Sequence, residues 1–190
     1  EDLLCYLLKN YSLITFEDLD KNKPNKINKK PLLIITFDDG YKDFIEVAVP
    51  LLLKYQVKVN QNIIPDCVDS GRPPLNVAVQ DFIGKSSNSQ LMALSIPGFN
   101  VAADINNRFL LGLRVSKFFK NRQMSQQIEL KKHILSQLDS FSDFKMTPMM
   151  NLSDIKQLID LHEFGAHSYT HASMAFETDG YVKKDLKDCK

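Results

Sequence analysis

An apolar run that ends abruptly in two neighbouring acids constrains the fold of this chain more than any other feature. Residues 32–37 read Leu-Leu-Ile-Ile-Thr-Phe, and Asp38, Asp39 and Gly40 follow at once. Such a run is typical of a strand that is buried on both faces of a parallel sheet covered by helices. The two acids would then lie at the carboxyl end of the strand, where α/β proteins bind their ligands.

The residues after the acids predict a helix and a second strand. Apolar side chains recur at helical spacing over 41–55, where Pro50 indicates a kink or a restart of the helix. A second strand is predicted over 57–64, where apolar residues alternate with polar ones at first and are adjacent at Ile63 and Ile64. Because a strand, a helix and a strand in this order form a βαβ unit, we expect the two strands to pair in parallel through a right-handed crossover.

The middle of the chain is helical in pattern. Apolar residues recur at helical spacing over 75–94 and 104–138, and we interpret 75–150 as a helical insertion between two elements of the sheet. With 190 residues and 44% hydrophobic content, the chain can bury a sizeable core. We therefore expect one α/β domain over 1–190 that contains this insertion.

The charge of the chain excludes a general affinity for polyanions. Lys and Arg number 24 and Asp and Glu number 23, so the formal net charge is only +1. Five of the lysines lie in the Asn- and Pro-containing stretch 21–30, which we interpret as a solvated loop. We expect no nucleic-acid partner and no membrane span, because no apolar stretch is long enough to cross a bilayer. The sequence does not specify an oligomeric state.

Two histidines near the end of the chain suit a metal ion. His167 and His171 follow a short strand predicted at 164–166, and their spacing of four places both imidazoles on one side of a helix or a strand. Two imidazoles and one carboxylate leave coordination positions for water and substrate, which is typical of a catalytic metal site. The other acid of the Asp38–Asp39 pair could act as a base, and the pattern alone leaves open which acid has which role.

Both stretches match motifs of a known family. Thr36-Phe37-Asp38-Asp39-Gly40 resembles the first motif of the polysaccharide deacetylases with a NodB homology domain, carbohydrate esterase family 4. His167-Ser168-Tyr169-Thr170-His171 resembles the second motif, H-[S/T]-x-x-H, and residues 162–166 resemble the approach to it. The two motifs occur in the order of the family.

The resemblance implies a fold, a cofactor and residue roles. The fold is a deformed (β/α) barrel of the NodB-homology type. Asp39, His167 and His171 would hold one divalent metal ion, with zinc first and cobalt, nickel, iron or manganese as alternatives. Asp38 would be the catalytic base. The reaction would remove N-acetyl groups from a polysaccharide or another glycan, and the location would be the cell envelope or outside the cell, although the sequence leaves the cytoplasm open.

The chain also departs from the family. The Arg-x-Pro-Tyr and Leu-x-His motifs, which contribute an oxyanion site and a general acid in the family, do not follow His171. A complete (β/α) barrel takes about 250 residues. We therefore expect an incomplete barrel, the amino-terminal part of a longer deacetylase, with poor activity of its own.

Two other functions fit the same residues. The chain could be a non-catalytic carbohydrate-binding or scaffold segment that retains the site residues. It could also be a metal-dependent hydrolase of another amide or of a phosphoester.

Three further side chains are secondary candidates. Tyr41 follows the site glycine and could line the substrate groove or pack at the start of the helix. We expect His162 to be a surface or hydrogen-bonded residue and His133 to be solvated.

Overall fold

The computed structural model describes residues 1–20 and 30–189. The chain forms two compact units, Glu1–Gly71 with Met149–His167, and Arg72–Pro148 with Ser168–Lys190. Most of the lysine-rich stretch predicted as a solvated loop lies outside the described residues. The prediction of one domain over 1–190 with an insertion at 75–150 stays a prediction.

Helices and short strands alternate along the chain. The α-helices are α1 (Asp2–Asn10), α2 (Phe16–Asp20), α3 (Val49–Lys54), α4 (Pro65–Ser70), α5 (Leu75–Lys85), α6 (Asn88–Ala93), α7 (Arg108–Lys120), α8 (Met124–Ser140), α9 (Leu152–Leu158) and α10 (Asp179–Asp188). The strands are β1 (Ser12–Leu13), β2 (Leu32–Leu33), β3 (Thr36–Phe37), β4 (Asn60–Ile63) and β5 (Glu163–Ala166). A π-helical turn covers Phe44–Ala48, and 3₁₀ turns cover Val101–Asp104 and Met174–Phe176.

The strands of the first unit form two parallel sheets. β1 pairs with β2, and β4 lies between β3 and β5 in a three-stranded sheet. The parallel pairing of β3 with β4 confirms the predicted βαβ unit. The alternation of helices and parallel strands confirms the α/β class. No sheet closes on itself among the strands that the structure describes, so the barrel stays a prediction.

The predicted strand over 32–37 is wrong in two respects. It is divided into β2 and β3, which belong to different sheets, and none of its residues is buried. Ile35 and Phe37 pack against the core of the first unit, whereas Leu32 is 42% exposed. One face of the run therefore packs on apolar side chains, and the other face is exposed at Leu32 and Thr36.

The helix after β3 changes its winding at the predicted proline. The π-helical turn Phe44–Ala48 leads directly into α3, whose first turn contains Pro50. Proline has no backbone N–H to donate and so interrupts the hydrogen-bond pattern of a continuous helix. The N–H of Val49, just before it, donates to the carbonyl of Phe44 five residues back. The predicted restart of the helix at Pro50 is confirmed.

Each unit has its own hydrophobic core. Phe44, Val59 and Leu158 are among the buried residues of the first unit. The second unit buries one face of each of its long helices, with Phe82, Leu111, Phe119, Ile134 and Leu138 at its centre. The helical spacing that predicts 75–94 and 104–138 is therefore the spacing of a core, and α5 to α8 confirm the prediction.

Candidate metal centre

The candidate site begins where the strands of the three-stranded sheet end. Asp38 and Asp39 follow β3, and His167 follows β5. Because the strands are parallel, their carboxyl ends share one edge of the sheet, where α/β proteins place their ligands. The backbone N–H of His167 donates to the carbonyl of Ile63 at 2.7 Å, so the pairing of β4 with β5 continues up to the first histidine.

The predicted ligand atoms lie close together. His167 Nε2 is 3.5 Å from Asp39 Oδ1. One ligand atom each of Asp39, His167 and His171 lies within 4.8 Å of the other two, and all three side chains are half-buried. Two atoms bound to the same tetrahedral zinc at about 2.0–2.2 Å lie roughly 3.5 Å apart. The cluster is compatible with a divalent ion, and the assignment of these residues as ligands stays a prediction.

Asp38 is exposed and accepts a hydrogen bond from a residue outside both motifs. Asn62 Nδ2 donates to Asp38 Oδ1 at 2.9 Å. Gly165 on the adjacent strand makes room for this side chain, because a Cβ at Gly165 would lie 2.4 Å from Asn62 Oδ1. One signal was present in the sequence: Asn60, Gln61 and Asn62 are three consecutive amides in a central strand, where apolar residues are usual.

Unusual backbone angles are concentrated at this site. Asp39, Ser168 and His171 have φ values of 74°, 57° and 60°. Among the described non-glycine residues only Gln56 also has a positive φ. Each such residue costs on the order of 1–3 kcal/mol, and it persists only where the surrounding structure holds it. The backbone at these positions must therefore be supported by neighbouring contacts.

The segment after the acids is attached to the residues that begin α9. The carbonyl of Gly40 accepts a hydrogen bond from the N–H of Met150 at 2.9 Å. Lys42 Nζ lies 2.6 and 2.7 Å from the two carboxylate oxygens of Asp154. Burial raises the pKa of Asp154, but its bonds to Lys42 and to the Asn151 N–H outweigh burial and lower the pKa overall.

Tyr41 packs rather than standing free at the start of the helix. It lies against Ile64, Cys67 and Met149, and its backbone forms an antiparallel bridge with Met149. These contacts correspond to the packing role that the sequence left open. Substrate binding by Tyr41 stays a prediction.

His162 differs from its prediction. It is 1% exposed, and neither ring nitrogen has a hydrogen-bond partner among residues 1–20 and 30–189. Burial, with a smaller contribution from the charge of Lys58, lowers its pKa. The expectation of a surface or hydrogen-bonded residue is wrong, because the ring packs edge-on against Phe44 at 5.7 Å. His133 is exposed, as predicted.

The following residue, Glu163, supports the first unit. Its two carboxylate oxygens accept hydrogen bonds from the backbone N–H groups of Phe16 at 3.0 Å and Glu17 at 2.8 Å, in the first turn of α2. These donors have no acceptor within the helix itself. Glu163 therefore connects β5 to α2 and is a structural residue.

No protein-family model and no curated protein matches the chain. One similar solved structure is the Streptococcus pyogenes deacetylase PplD in complex with acetate, with a TM-score of 0.50 and 16% identity over 96% of this chain and 49% of that chain. Another is the BpsB deacetylase domain from Bordetella bronchiseptica, with a TM-score of 0.49 and 14% identity over 99% of this chain and 60% of that chain. The chain thus spans about half the length of the first structure and three-fifths of the second. The resemblance to deacetylases that the two motifs predict is confirmed at the level of the fold.

Proposed function

We propose that this chain carries the metal-binding part of an N-deacetylase that removes acetyl groups from a polysaccharide or another N-acetylated carbohydrate. The observation that carries the proposal is that ligand atoms of Asp39, His167 and His171 lie within 4.8 Å of one another. A second acid, Asp38, directly precedes Asp39 in the sequence. The fold shared with a deacetylase structure supports it. The carbohydrate substrate and the location at the cell envelope or outside the cell rest on the two motifs.

The chemistry of amide hydrolysis explains why these residue types are needed. An acetamide is a poor electrophile, and water is a poor nucleophile near neutral pH. A divalent ion, when bound, polarises the carbonyl group and acidifies a water molecule. Asp39, His167 and His171 would hold that ion, and zinc suits two imidazoles and one carboxylate, with cobalt, nickel, iron or manganese as alternatives.

Asp38 has the position of the base in this proposal. Its carboxylate is exposed, adjoins a proposed ligand in the chain and is oriented by Asn62. It would accept the proton of the attacking water. In the family that the two motifs resemble, a Leu-x-His motif contributes the general acid that protonates the departing amine. Because Asp38 is not one of the three grouped ligands, its role is separable from metal binding by mutation.

The test measures metal binding and acetate release in the same preparations. Protein freed of metal by chelation is titrated with Zn²⁺ or Co²⁺ and then supplied with N-acetylated oligosaccharides. We expect His171→Ala to abolish metal binding and Asp38→Asn to keep the metal while losing acetate release. His133→Ala is the matched control, since this histidine is exposed on α8.

Each outcome has a distinct meaning. Unchanged metal binding in His171→Ala would refute the proposed ligand set. Retained turnover in Asp38→Asn would place the base elsewhere. If the wild-type protein binds oligosaccharide but releases no acetate, the chain is a carbohydrate-binding segment. Hydrolysis of other amides or of phosphoesters would identify a different metal-dependent hydrolase.

A further inference from the structure

The loop between the two histidines is held by a buried acid from the last helix. Asp185 on α10 is only 4% exposed. Its carboxylate accepts hydrogen bonds from the N–H of Tyr169 at 2.8 Å, from the N–H of Thr170 at 3.2 Å and from Thr170 Oγ1 at 2.9 Å. A buried carboxylate is costly unless donors surround it, and three donors of this one come from two consecutive residues of the loop.

The loop has a conformation that needs such support. Ser168 and His171, which flank the two residues that donate to Asp185, both have backbones in the left-handed region. The N–H of His171 donates to Ser168 Oγ at 2.9 Å, which closes the loop on itself. Residues with side chains adopt this region only when their surroundings fix it. The hydrogen bonds that Asp185 accepts from Tyr169 and Thr170 fix the two residues that lie between Ser168 and His171.

The helix that carries Asp185 is itself anchored within the second unit. Thr178 caps its first turn by accepting from the N–H of Tyr181 at 3.2 Å. The preceding residue, Glu177, accepts from the N–H of Met124 at the start of α8. The Tyr181 hydroxyl also shares a hydrogen bond of 2.6 Å with Thr170 Oγ1. Asp185 therefore connects the loop to a fixed element.

We propose that Asp185 is a positioning residue of the candidate metal centre, which holds residues 168–171 so that the imidazoles of His167 and His171 can share one ion. The inference rests on the metal site of the proposed function. Asp185 touches neither the ion nor the substrate in this proposal. Asp185 orders the loop before an ion binds, and this lowers the entropic cost of binding.

The experiment measures Co²⁺ affinity by the visible absorption of the bound ion. Changes to residues that orient metal ligands typically weaken binding by about 10–100-fold. We expect a loss in this range for Asp185→Ala and a smaller loss for Asp185→Asn, which retains one acceptor oxygen. The matched control is Asp188→Asn, which removes a carboxylate on the same helix that is exposed and paired with Lys184; its affinity should be unchanged.

A second pair of variants covers the case in which Asp185→Ala does not fold. Thr170→Val removes one donor and keeps the shape of the side chain, whereas Thr170→Ser keeps the hydroxyl. We expect weaker Co²⁺ binding in Thr170→Val and near wild-type binding in Thr170→Ser. Hydrogen exchange of the Tyr169 and Thr170 amides, followed by NMR in the metal-free protein, should be slow in the wild type and faster in the Asp185 variants.

The outcomes separate this inference from the proposed function. If the wild-type protein binds no Co²⁺, both are overturned. If the wild type binds and Asp185→Ala and Thr170→Val bind equally well, only the positioning role is overturned. An equal loss in Asp188→Asn would also overturn it, because the charge of the helix would then explain the effect. A selective loss in the Asp185 and Thr170→Val variants supports the inference.

Discussion

Replacing His162 by phenylalanine should make the protein more stable. The imidazole is 1% exposed, it packs edge-on against Phe44, and neither nitrogen has a hydrogen-bond partner in the described part of the chain. A buried polar atom without a partner costs roughly 1–3 kcal/mol. Phenylalanine has a ring of similar shape and no polar atom in its side chain. Its backbone N–H would keep the hydrogen bond that the N–H of His162 donates to the carbonyl of Leu158 at 2.9 Å.

The expected gain follows from two opposing contributions. Two unsatisfied nitrogens set the favourable contribution at about 2–6 kcal/mol, while the slightly larger ring costs about 1–3 kcal/mol in repacking. The midpoints of these ranges differ by about 2 kcal/mol, so we expect His162→Phe to raise the free energy of unfolding by about that amount at pH 7. The same change should remove a dependence on pH.

The sign of that dependence follows from the lowered pKa of His162. The unfolded chain takes up a proton near pH 6.5, whereas burial keeps the folded imidazole neutral to lower pH. The unfolded state therefore binds more protons in this window, so stability is fully present above about pH 6.5 and is lost as the pH falls. The loss is at most about 1.4 kcal/mol per pH unit. The difference between wild type and variant should thus widen on acidification.

The assay is urea unfolding followed by circular dichroism at several pH values between 5 and 8. His133→Gln is the matched control, because His133 is exposed and its replacement should change neither stability nor its pH dependence. The reasoning would be refuted if His162→Phe were no more stable than the wild type at pH 7. Parallel stability curves for the two proteins would also refute it, since they would mean that His162 titrates alike in both states.

Three further changes test the contacts around the acids. Asn62→Ala should lower acetate release about tenfold with unchanged Co²⁺ binding, because it frees Asp38 without touching a proposed ligand. Gly165→Ala should destabilise the protein to urea by about 1–3 kcal/mol and also lower acetate release, since the new Cβ would displace Asn62. Lys42→Met should lower the free energy of unfolding by about 2–3 kcal/mol, because it leaves the carboxylate of Asp154 without its cation. The loss is smaller than for a fully buried pair, since Lys42 is partly exposed. Adding Asp154→Asn to this variant should restore part of the lost stability.

The helices were predictable because their periodicity is also the pattern of their burial. Phe82, Leu111 and Ile134 lie on the faces of α5, α7 and α8 that form the core of the second unit, and they are the residues that create the helical spacing. The prediction of one buried strand over 32–37 was wrong for the opposite reason. An unbroken apolar run carries no periodicity, so it cannot distinguish a strand covered on both faces from one covered on a single face.

The candidate site was predictable only where its residues lie in short motifs. His167 and His171 are four positions apart in the sequence, and the parallel sheet brings the ends of β3 and β5 to one edge. Asn62 and Asp185 lie outside both motifs. The three consecutive amides at 60–62 mark an unusual strand but indicate no partner, and a single acid such as Asp185 is usually a solvated side chain. The two residues reach their partners across 24 and 15 residues of sequence.

The positions of backbone strain explain why these unpredicted residues matter. Asp39, Ser168 and His171 all have left-handed backbones, and a glycine at any of them would be conformationally easier. A chain selected for stability alone would have no need of a carboxylate or an imidazole at such positions. The proposed function gives a reason, because a ligand must have both a suitable side chain and a fixed direction. Supports such as Asp185 then follow as a requirement of the site, since a strained loop keeps its ligands in place only if other residues hold it.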